Sequence, residues 1–510
     1  MSTISAAEAE RPLVVALDLG TSSARALIYD MLGRLVEGVE SRIEYQMTTT
    51  PDGGVEMDPD ELIHILCRVI DGLVEQASKL IPDFSTALCG VGCCTFWHSL
   101  LGLGADGRAA TPLYNWSDTR SAAEASSLAE HPGREWLHTR TGAVPHASYY
   151  PAKILWLRRT RPHLIARVAR WVSIGEYFYE RIFGRALCSV SMASGTGLFN
   201  PNTCRWDEEV LEQLQIGQER LSPLAEPNET LVGLRRSFAK RWPAMAHLPW
   251  SPAVGDGAAS NVGSGCVTRD AVAINVGTSG AMRVCWKAAS VRIPAGLWCY
   301  RADTEYFVMG GALSNGGDVF SWCQSALQLN ADQVEEELAR MRPDQHGLTV
   351  LPFFSGERST GWADYARAAI VGMSLSTQPV DILRAFLEAV AYRFAAIFEL
   401  LRGELTTSVR VVASGGGILR SRVWTQLMSD VIGVPVIAST APEASSRGAA
   451  LLALKTFGRV PDLGAIPAPL GTLHDPRKEY HASYGRALAR QERLYDLLIA
   501  PGPGVLTDGQ

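Results

Sequence analysis

Short apolar runs alternate with amphipathic segments along much of the chain. The runs at residues 348–354 and 409–413 predict buried strands, because a strand covered on both faces of its sheet is apolar throughout. Residues 421–432 and 445–457 predict helices on either side of a strand at 434–438. Residues 378–401 predict a core-facing helix, since apolar side chains recur every three or four positions: Ile382, Leu383, Phe386, Leu387, Val390, Phe394 and Ile397. This alternation predicts an α/β fold.

The tripeptide Gly-Thr-Ser occurs at residues 20–22 and again at 277–279. Each copy follows an apolar run, at 13–17 and 271–274, and each is followed by a second apolar run. Both segments therefore predict a hairpin of two strands joined by a tight polar turn. The copies lie 257 positions apart, about half of the 510 residues. A hairpin repeated at this spacing predicts two similar domains that face each other.

Two domains are also expected from length, because 510 residues exceed what one hydrophobic core usually holds. A proline-containing stretch at 247–252 is the best candidate for the boundary. We therefore expect an N-terminal domain at 1–251 and a C-terminal domain at 252–510.

The segment at 84–105 lacks Asp, Glu, Lys and Arg and is long enough to span a membrane. It contains His98 and four glycines, which favours two buried strands joined by a loop. The first twelve residues are polar and acidic and lack the pattern of a signal peptide. These features predict a cytoplasmic protein without a membrane segment.

Overall composition indicates an ordinary globular protein, with 47% hydrophobic and 20% charged residues. The formal net charge of −6 gives no reason to expect nucleic acid or an anionic membrane as a partner. Ten cysteines without a Cys-x-x-Cys pair predict reduced, mostly buried thiols rather than a disulfide scaffold or a metal site. The sequence leaves the oligomeric state open, and a homodimer is among the alternatives.

The two Gly-Thr-Ser turns are candidates for phosphate binding. Outward-pointing backbone N–H groups form an anion-binding nest, and the Thr and Ser hydroxyls add donors. Glycine is needed where a side chain would block a phosphate. Two such turns facing each other could hold a triphosphate, with Asp18 reaching a Mg²⁺ ion through water. Either turn alone would be an ordinary hairpin turn.

Other glycine clusters differ in how well they fit a nucleotide site. The chain contains no Gly-Lys dipeptide, which excludes a Walker A loop. Residues 102–107 match Gly-x-Gly-x-x-Gly, but no helix pattern follows, so we expect a hairpin turn there. Residues 414–417 lie between a predicted strand and helix, an arrangement that lets a nucleotide approach the backbone. Residues 315–317 open another predicted helix and are expected to join the same wall.

Asp256 stands between two glycines, directly after the proposed domain boundary. A carboxylate at a junction of two domains is well placed to accept a proton in a cleft. An Asp-Gly turn is also a frequent structural feature, so this signal alone is weak.

Taken together, the sequence resembles the FGGY family of carbohydrate kinases from about residue 13 to about residue 457. The resemblance rests on seven segments in the family's order: 18–25, 97–99, 116–120, 153–156, 255–257, 277–279 and 414–417. It implies two ribonuclease-H-like domains of the actin and hexokinase type with a cleft between them. The sugar would bind mainly to the first domain and ATP mainly to the second.

The resemblance also implies roles for individual residues, and Asp256 would be the general base. The expected phosphate-binding residues are Gly20, Thr21, Ser22, Ser23, Gly277, Thr278, Ser279, Gly316, Gly415, Gly416 and Gly417. The expected substrate-binding residues are Trp97, His98, Asp118, Arg120 and Asp256. Asp18, through water, and Asp256 would hold Mg²⁺.

Within the family, residues 96–100, 173–177, 191–199 and 351–358 are most similar to the gluconate kinases. This likeness predicts phosphorylation of gluconate to 6-phosphogluconate, with Arg120 or His98 as candidates to bind the carboxylate. Trp97 departs from the methionine common at its position, which leaves a neutral ketose or polyol such as xylulose as the alternative. An actin-like or chaperone-like ATPase is the alternative from another class.

Overall fold

The computed structural model describes residues 2–330 and 333–500. Its first half is built on a six-stranded sheet, in the order Thr3–Ile4, Leu35–Glu44, Ser23–Tyr29, Leu13–Leu19, Leu88–Thr95 and Val254–Gly255. The second half is built on a seven-stranded sheet, in the order Trp298–Arg301, Tyr306–Leu313, Gly280–Lys287, Ala271–Val276, Arg410–Ser414, Val436–Ser439 and Leu470–His474.

The two sheets share one strand pattern, which confirms the predicted duplication. In the first sheet, Leu13–Leu19 pairs antiparallel with Ser23–Tyr29 and parallel with Leu88–Thr95. In the second, Ala271–Val276 pairs antiparallel with Gly280–Lys287 and parallel with Arg410–Ser414. Each Gly-Thr-Ser turn therefore occupies the same place in its own sheet.

Long helices cover both sheets. Pro59–Leu80 packs on the first sheet, where the side chain of Asp58 accepts a hydrogen bond from the backbone N–H of Asp60 and caps the helix. Pro379–Leu401 packs on the second sheet with its apolar stripe buried, as the sequence predicts. Arg422–Ile432 and Lys478–Leu498 form a further layer on this side.

The helix Ala444–Thr456 comes late in the chain but packs on the first sheet and on the helix Asp256–Gly263. The two helices cross at backbone contact. A Cβ atom added to Gly448 would lie 1.7 Å from the carbonyl oxygen of Ala259, and one added to Gly263 would lie 1.8 Å from that of Ala444. This crossing fixes the helix that begins with Asp256.

The remaining elements are shorter. The other helices are Phe84–Ala87, Ala122–Leu128, Arg134–Thr141, Tyr150–Thr160, Pro162–Ile165, Ile174–Phe183, Val190–Ser194, Glu208–Gln213, Arg236–Arg241, Gly317–Ala326, Val334–Arg340 and Gly416–Leu419. The other strands are Thr48–Thr49, Val55–Met57, Leu101–Leu103, Leu113–Tyr114, Arg170–Val172, Phe199–Asn200, Arg205–Trp206, Thr349–Leu351 and Ala369–Val371.

Most predicted elements are present. The uncharged segment at 84–105 contains the strands Leu88–Thr95 and Leu101–Leu103, and within the described residues no helix is both long and apolar enough to cross a bilayer. Residues 102–107 form a hairpin turn, in which the Gly104 N–H donates to the Arg108 carbonyl. The strand predicted at 348–354 is shorter, Thr349–Leu351, and it pairs outside the main sheets.

Candidate active site between the two sheets

A cavity of about 260 Å³ opens between the two halves. Five of the residues expected at the active site line it: Thr21, Trp97, His98, Asp256 and Ser279. The remaining walls come from both halves: Phe96, Trp116, His146, Ser148, Tyr149, Gly257, Asn275, Gly280, Ala281, Arg283, Trp298, Tyr300, Ala312, Arg358 and Trp362. The cavity thus joins the two Gly-Thr-Ser turns to the start of the Asp256 helix.

Trp97 forms an apolar wall of the cavity. Its indole N–H donates to the Ser191 carbonyl at 2.9 Å, and its ring centroid lies 4.9 Å from that of Tyr300. The ring packs so closely on the loop before Asp256 that a Cβ atom on Gly255 would lie 1.9 Å from Trp97 Cε2. The glycine before Asp256 is therefore required by the tryptophan.

His98 is a neutral hydrogen-bonding group. Its Nδ1 contacts the Gly195 carbonyl oxygen, which can only accept, so Nδ1 carries the proton and donates. Burial lowers the pKa of His98 to about 3. Nε2 is left as an acceptor that a sugar hydroxyl can use. His98 therefore does not supply a positive charge for a substrate carboxylate at neutral pH.

Asp118 and Arg120, which the resemblance assigns to the substrate, do not line the cavity. Arg120 donates to Asp118 and to Glu56, and its guanidinium carbon lies 4.7 Å from the centre of the Trp156 ring. Asp118 also accepts from the Val55 N–H at 3.1 Å. The pair instead fastens the Trp116 segment to a neighbouring strand.

Arg283 and Arg358 also line the cavity, and the sequence alone predicts a role for neither of them. Arg358 donates to the Leu313 carbonyl at 2.9 Å and lies over the Trp116 ring. The Nε and Nη1 atoms of Arg283 are buried without a hydrogen-bond partner. Burial lowers the pKa of both groups, so each guanidinium gains from an anionic partner.

Asp256 is the first residue of the helix Asp256–Gly263 and is half-buried at the cavity wall. The Gly257 N–H donates to its carboxylate at 2.7 Å. Burial, aided by the negative charge of Asp18, raises the pKa of Asp256 to about 6, although Arg283 acts in the opposite direction. A carboxylate with this pKa is suited to accept a proton near neutral pH.

Asp18 lies buried in the strand Leu13–Leu19, beside the first Gly-Thr-Ser turn. Its oxygens accept from Cys94 and Ser446, and Arg25 Nη1 approaches to 3.6 Å. Burial raises its pKa. Since Asp18 and Asp256 repel each other electrostatically, a divalent cation between them would relieve an existing repulsion. The pair fits a Mg²⁺ ion held partly through water.

The two turns are similar but differ by one residue. The Gly20 N–H donates to the carbonyl of Ser23, three positions on, at 3.0 Å, whereas the Gly277 N–H donates to the carbonyl of Ser279, two positions on, at 3.0 Å. Ser22 and Thr278 are exposed, whereas Ser23 is buried within its strand. Thr21 and Ser279 reach the cavity, so the turns meet at one place.

Glycines from three segments touch behind the second turn. A Cβ atom on Gly317 would lie 2.5 Å from Gly277 O and 3.1 Å from Gly417 Cα. A Cβ on Gly316 would lie 2.7 Å from Ser279 O. Gly415 has a φ of +94°, which side-chain-bearing residues rarely adopt. The helices Gly317–Ala326 and Gly416–Leu419 both begin here. This glycine-lined surface fits the close approach of a nucleotide to backbone N–H groups.

A separate cluster of Asp344, His346 and Glu388 has its oxygen and nitrogen atoms within 4.8 Å of one another. His346 Nδ1 accepts from the Leu348 N–H at 2.9 Å, which leaves Nε2 to donate to Glu388. Arg384 donates to Glu388 at 2.7 Å. Both ring nitrogens of His346 are therefore occupied, and the cluster is an ion-pair network rather than a cation site.

The arrangement of two similar α/β halves matches solved structures of two-domain sugar kinases. A gluconate kinase and a ligand-bound xylulose kinase, both from Lactobacillus acidophilus, each match with a TM-score of 0.88 and 26% identity. Each match covers 95% of this chain and 98% of the other.

The chain belongs to the FGGY family of carbohydrate kinases. The model of the family's N-terminal domain matches residues 13–263, and that of its C-terminal domain matches residues 272–457. Gluconokinase from Bacillus subtilis is 27% identical over 92% of this chain and 93% of its own. Xylulose kinase from Lactococcus lactis is 24% identical over 95% of both. The protein is therefore an ATP-using carbohydrate kinase that acts on a small sugar substrate.

Proposed function

We propose that the protein transfers the γ-phosphate of ATP to the terminal hydroxyl of gluconate. The main observation that supports this proposal is the net charge of the residues lining the cavity. Arg283 and Arg358 provide two guanidinium groups, whereas Asp256 provides one carboxylate and His98 is neutral. Net positive charge in a partly desolvated cavity favours an anionic substrate over a neutral sugar. The similarity to gluconokinases supports the same substrate.

Asp256 acts as the general base of the proposed reaction. Its ionised carboxylate accepts the hydroxyl proton while the substrate oxygen bonds to the γ-phosphorus. The bond from that phosphorus to the β–γ bridging oxygen breaks, and ADP leaves with this oxygen. Most of the rate acceleration comes from positioning and charge neutralisation, because phosphoryl transfer requires little covalent help.

The nucleotide is assigned to the glycine-lined surface of the second half. Residues 277–279, Gly316 and residues 415–417 hold its phosphates there, and residues 20–23 approach the terminal phosphate from the other side. Asp18, through water, and Asp256 would hold Mg²⁺, which supplies neutralisation of phosphate charge when bound. In this assignment, residues 1–251 bind mainly the sugar and residues 252–510 mainly ATP.

A substrate screen tests the proposal. ADP formation with Mg-ATP is measured against gluconate, xylulose, ribulose, glycerol and erythritol, with a reaction lacking any acceptor as the control. We expect kcat/KM for gluconate to exceed that of each neutral compound by at least about tenfold, as one added charge contact allows. A preference for xylulose would show that gluconate is not the substrate, but it would not contradict the proposed phosphoryl transfer.

The pH dependence of turnover is a second expected result. Because burial raises the pKa of Asp256 to about 6, the base is increasingly protonated, and therefore inactive, as the pH falls through this value. We expect kcat/KM for the preferred substrate to rise about tenfold per pH unit below about 6 and to level off above about 7. A profile that is flat between about pH 5 and pH 8 in a folded enzyme would contradict this role.

A further inference from the structure

Arg283 lies on the strand Gly280–Lys287, which begins directly after the second Gly-Thr-Ser turn. Ala281 and Arg283 both line the cavity. They are two residues apart, so their side chains point to the same face of the strand. The small side chain of Ala281 leaves space between the turn and the guanidinium group of Arg283.

The hydrogen-bonding state of Arg283 is unusual. Its Nε and Nη1 are buried without a partner. Arg25 and Arg393 also have an unpartnered Nε, but each pairs with a carboxylate through another nitrogen. Arg301, on the strand Trp298–Arg301, donates to two backbone carbonyls. Unmade hydrogen bonds of a buried charged group are costly, which indicates that a ligand completes those of Arg283.

We propose that Arg283 binds the carboxylate of a sugar-acid substrate in the cavity. This inference rests on the proposed function, since it assigns the recognition of the substrate's charged end. It makes Arg283 the residue that selects acids over neutral sugars. Arg120 is excluded from this role by its ion pairs, and His98 by its neutrality.

Arg283 lies near Asp256. Arg283 and Asp256 interact electrostatically, and Arg283 opposes the rise in the pKa of Asp256, but they form no direct ion pair. The guanidinium carbon of Arg283 lies 3.4 Å from a Cβ atom built on Gly257, so Arg283 faces the cavity beside the start of the Asp256 helix. The aromatic rings of Trp298 and Tyr300, stacked with centroids 4.5 Å apart, also line the cavity. They limit hydration around the guanidinium group and strengthen its attraction for an anion.

The test combines two enzymes with two substrates. Gluconate is compared with glucitol, which keeps the hydroxyl chain but replaces the carboxylate by a neutral CH₂OH group. In Arg283→Met, we expect kcat/KM for gluconate to fall on the order of 10²- to 10³-fold, mainly through KM, because a buried charge contact is lost. Glucitol is scored by turnover, or by its inhibition constant where it is not phosphorylated, and should change less than about threefold.

Two further variants control the experiment. Arg283→Lys retains the charge and should recover part of the gluconate preference, even if the methionine variant folds poorly. Arg269 is the matched control position, because it is an arginine outside the cavity that pairs with Glu404 at the surface of the same half. Arg269→Met should leave both substrates and the KM for ATP unchanged.

Each outcome separates this inference from the proposed function. Equal losses for gluconate and glucitol in both Arg283 variants would mean a structural role and overturn the inference, while gluconate kinase activity would stand. If the wild type prefers another six-carbon acid, such as galactonate, and Arg283→Met selectively loses it, gluconate is wrong and the inference holds. A wild type that prefers neutral sugars to every acid overturns both.

Discussion

Asp256→Asn is expected to lower kcat by about 10²- to 10⁴-fold, the usual contribution of a general base. Asparagine keeps the size of the side chain and an oxygen that can accept from the Gly257 N–H, so the start of the helix should remain intact. It cannot accept the proton of the attacking hydroxyl. The KM for ATP should stay within about twofold, because the nucleotide is assigned to backbone groups elsewhere.

Single-turnover and steady-state assays with gluconate and ATP check this result. Asp106→Asn is the matched control, since it removes an exposed carboxylate from the turn at 104–108. The Asp256→Asn variant should also lose the fall in activity below about pH 6 that the wild type is expected to show. A folded Asp256→Asn protein with near-normal kcat would remove Asp256 from the chemistry.

The turns at 20–22 and 277–279 could be predicted because their geometry is local. Glycine and hydroxyl residues between two apolar runs specify a tight turn within a few positions. The strand, glycine and helix order at 410–419 is equally local. Their meeting at one cavity followed from the duplication, since equivalent turns of two similar sheets that face each other lie together.

The role of Arg283 could not be predicted in the same way. A charged residue beginning the apolar run at 283–286 was the available signal. The face of the sheet to which the Arg283 side chain points depends on the pairing of Gly280–Lys287 with two neighbouring strands. Local sequence does not specify this pairing. The unpartnered state of Arg283 depends on residues distant in the chain. Arg120 is the opposite case, a residue expected at the site that does not line the cavity. It pairs with Glu56, 64 positions away in the chain, and local sequence does not predict this contact.

The helix at Ala444–Thr456 marks a similar limit at the level of the fold. Its helical pattern was predicted from local sequence. The periodicity of a helix identifies its apolar face but not the sheet that this face covers. Here the helix crosses to the sheet of the first half, where Ser446 donates to Asp18. Asp18, which is expected to lie near the phosphates, is therefore held in place partly by a helix from the C-terminal part of the chain.

Gly277→Val is expected to raise the KM for ATP by about 10²-fold, because displacing a bound phosphate by about 1 Å has effects of this size. No atom lies within 4 Å of a Cβ built at Gly277, and its φ is not in the left-handed region. The protein alone therefore has space for a side chain there. The same open space is where the phosphates of ATP are assigned, so a branched side chain would compete with the nucleotide.

Gly403→Val is the matched control, since Gly403 is exposed and its Cβ would also meet no atom within 4 Å. Calorimetric binding of ATP, gluconate affinity and thermal unfolding are measured for both variants. Gly277→Val should unfold within a few degrees of the wild type and bind gluconate normally while ATP binding weakens. Because the substitution fills space that only a ligand would use, unchanged ATP affinity in this variant would place the phosphates away from the second turn.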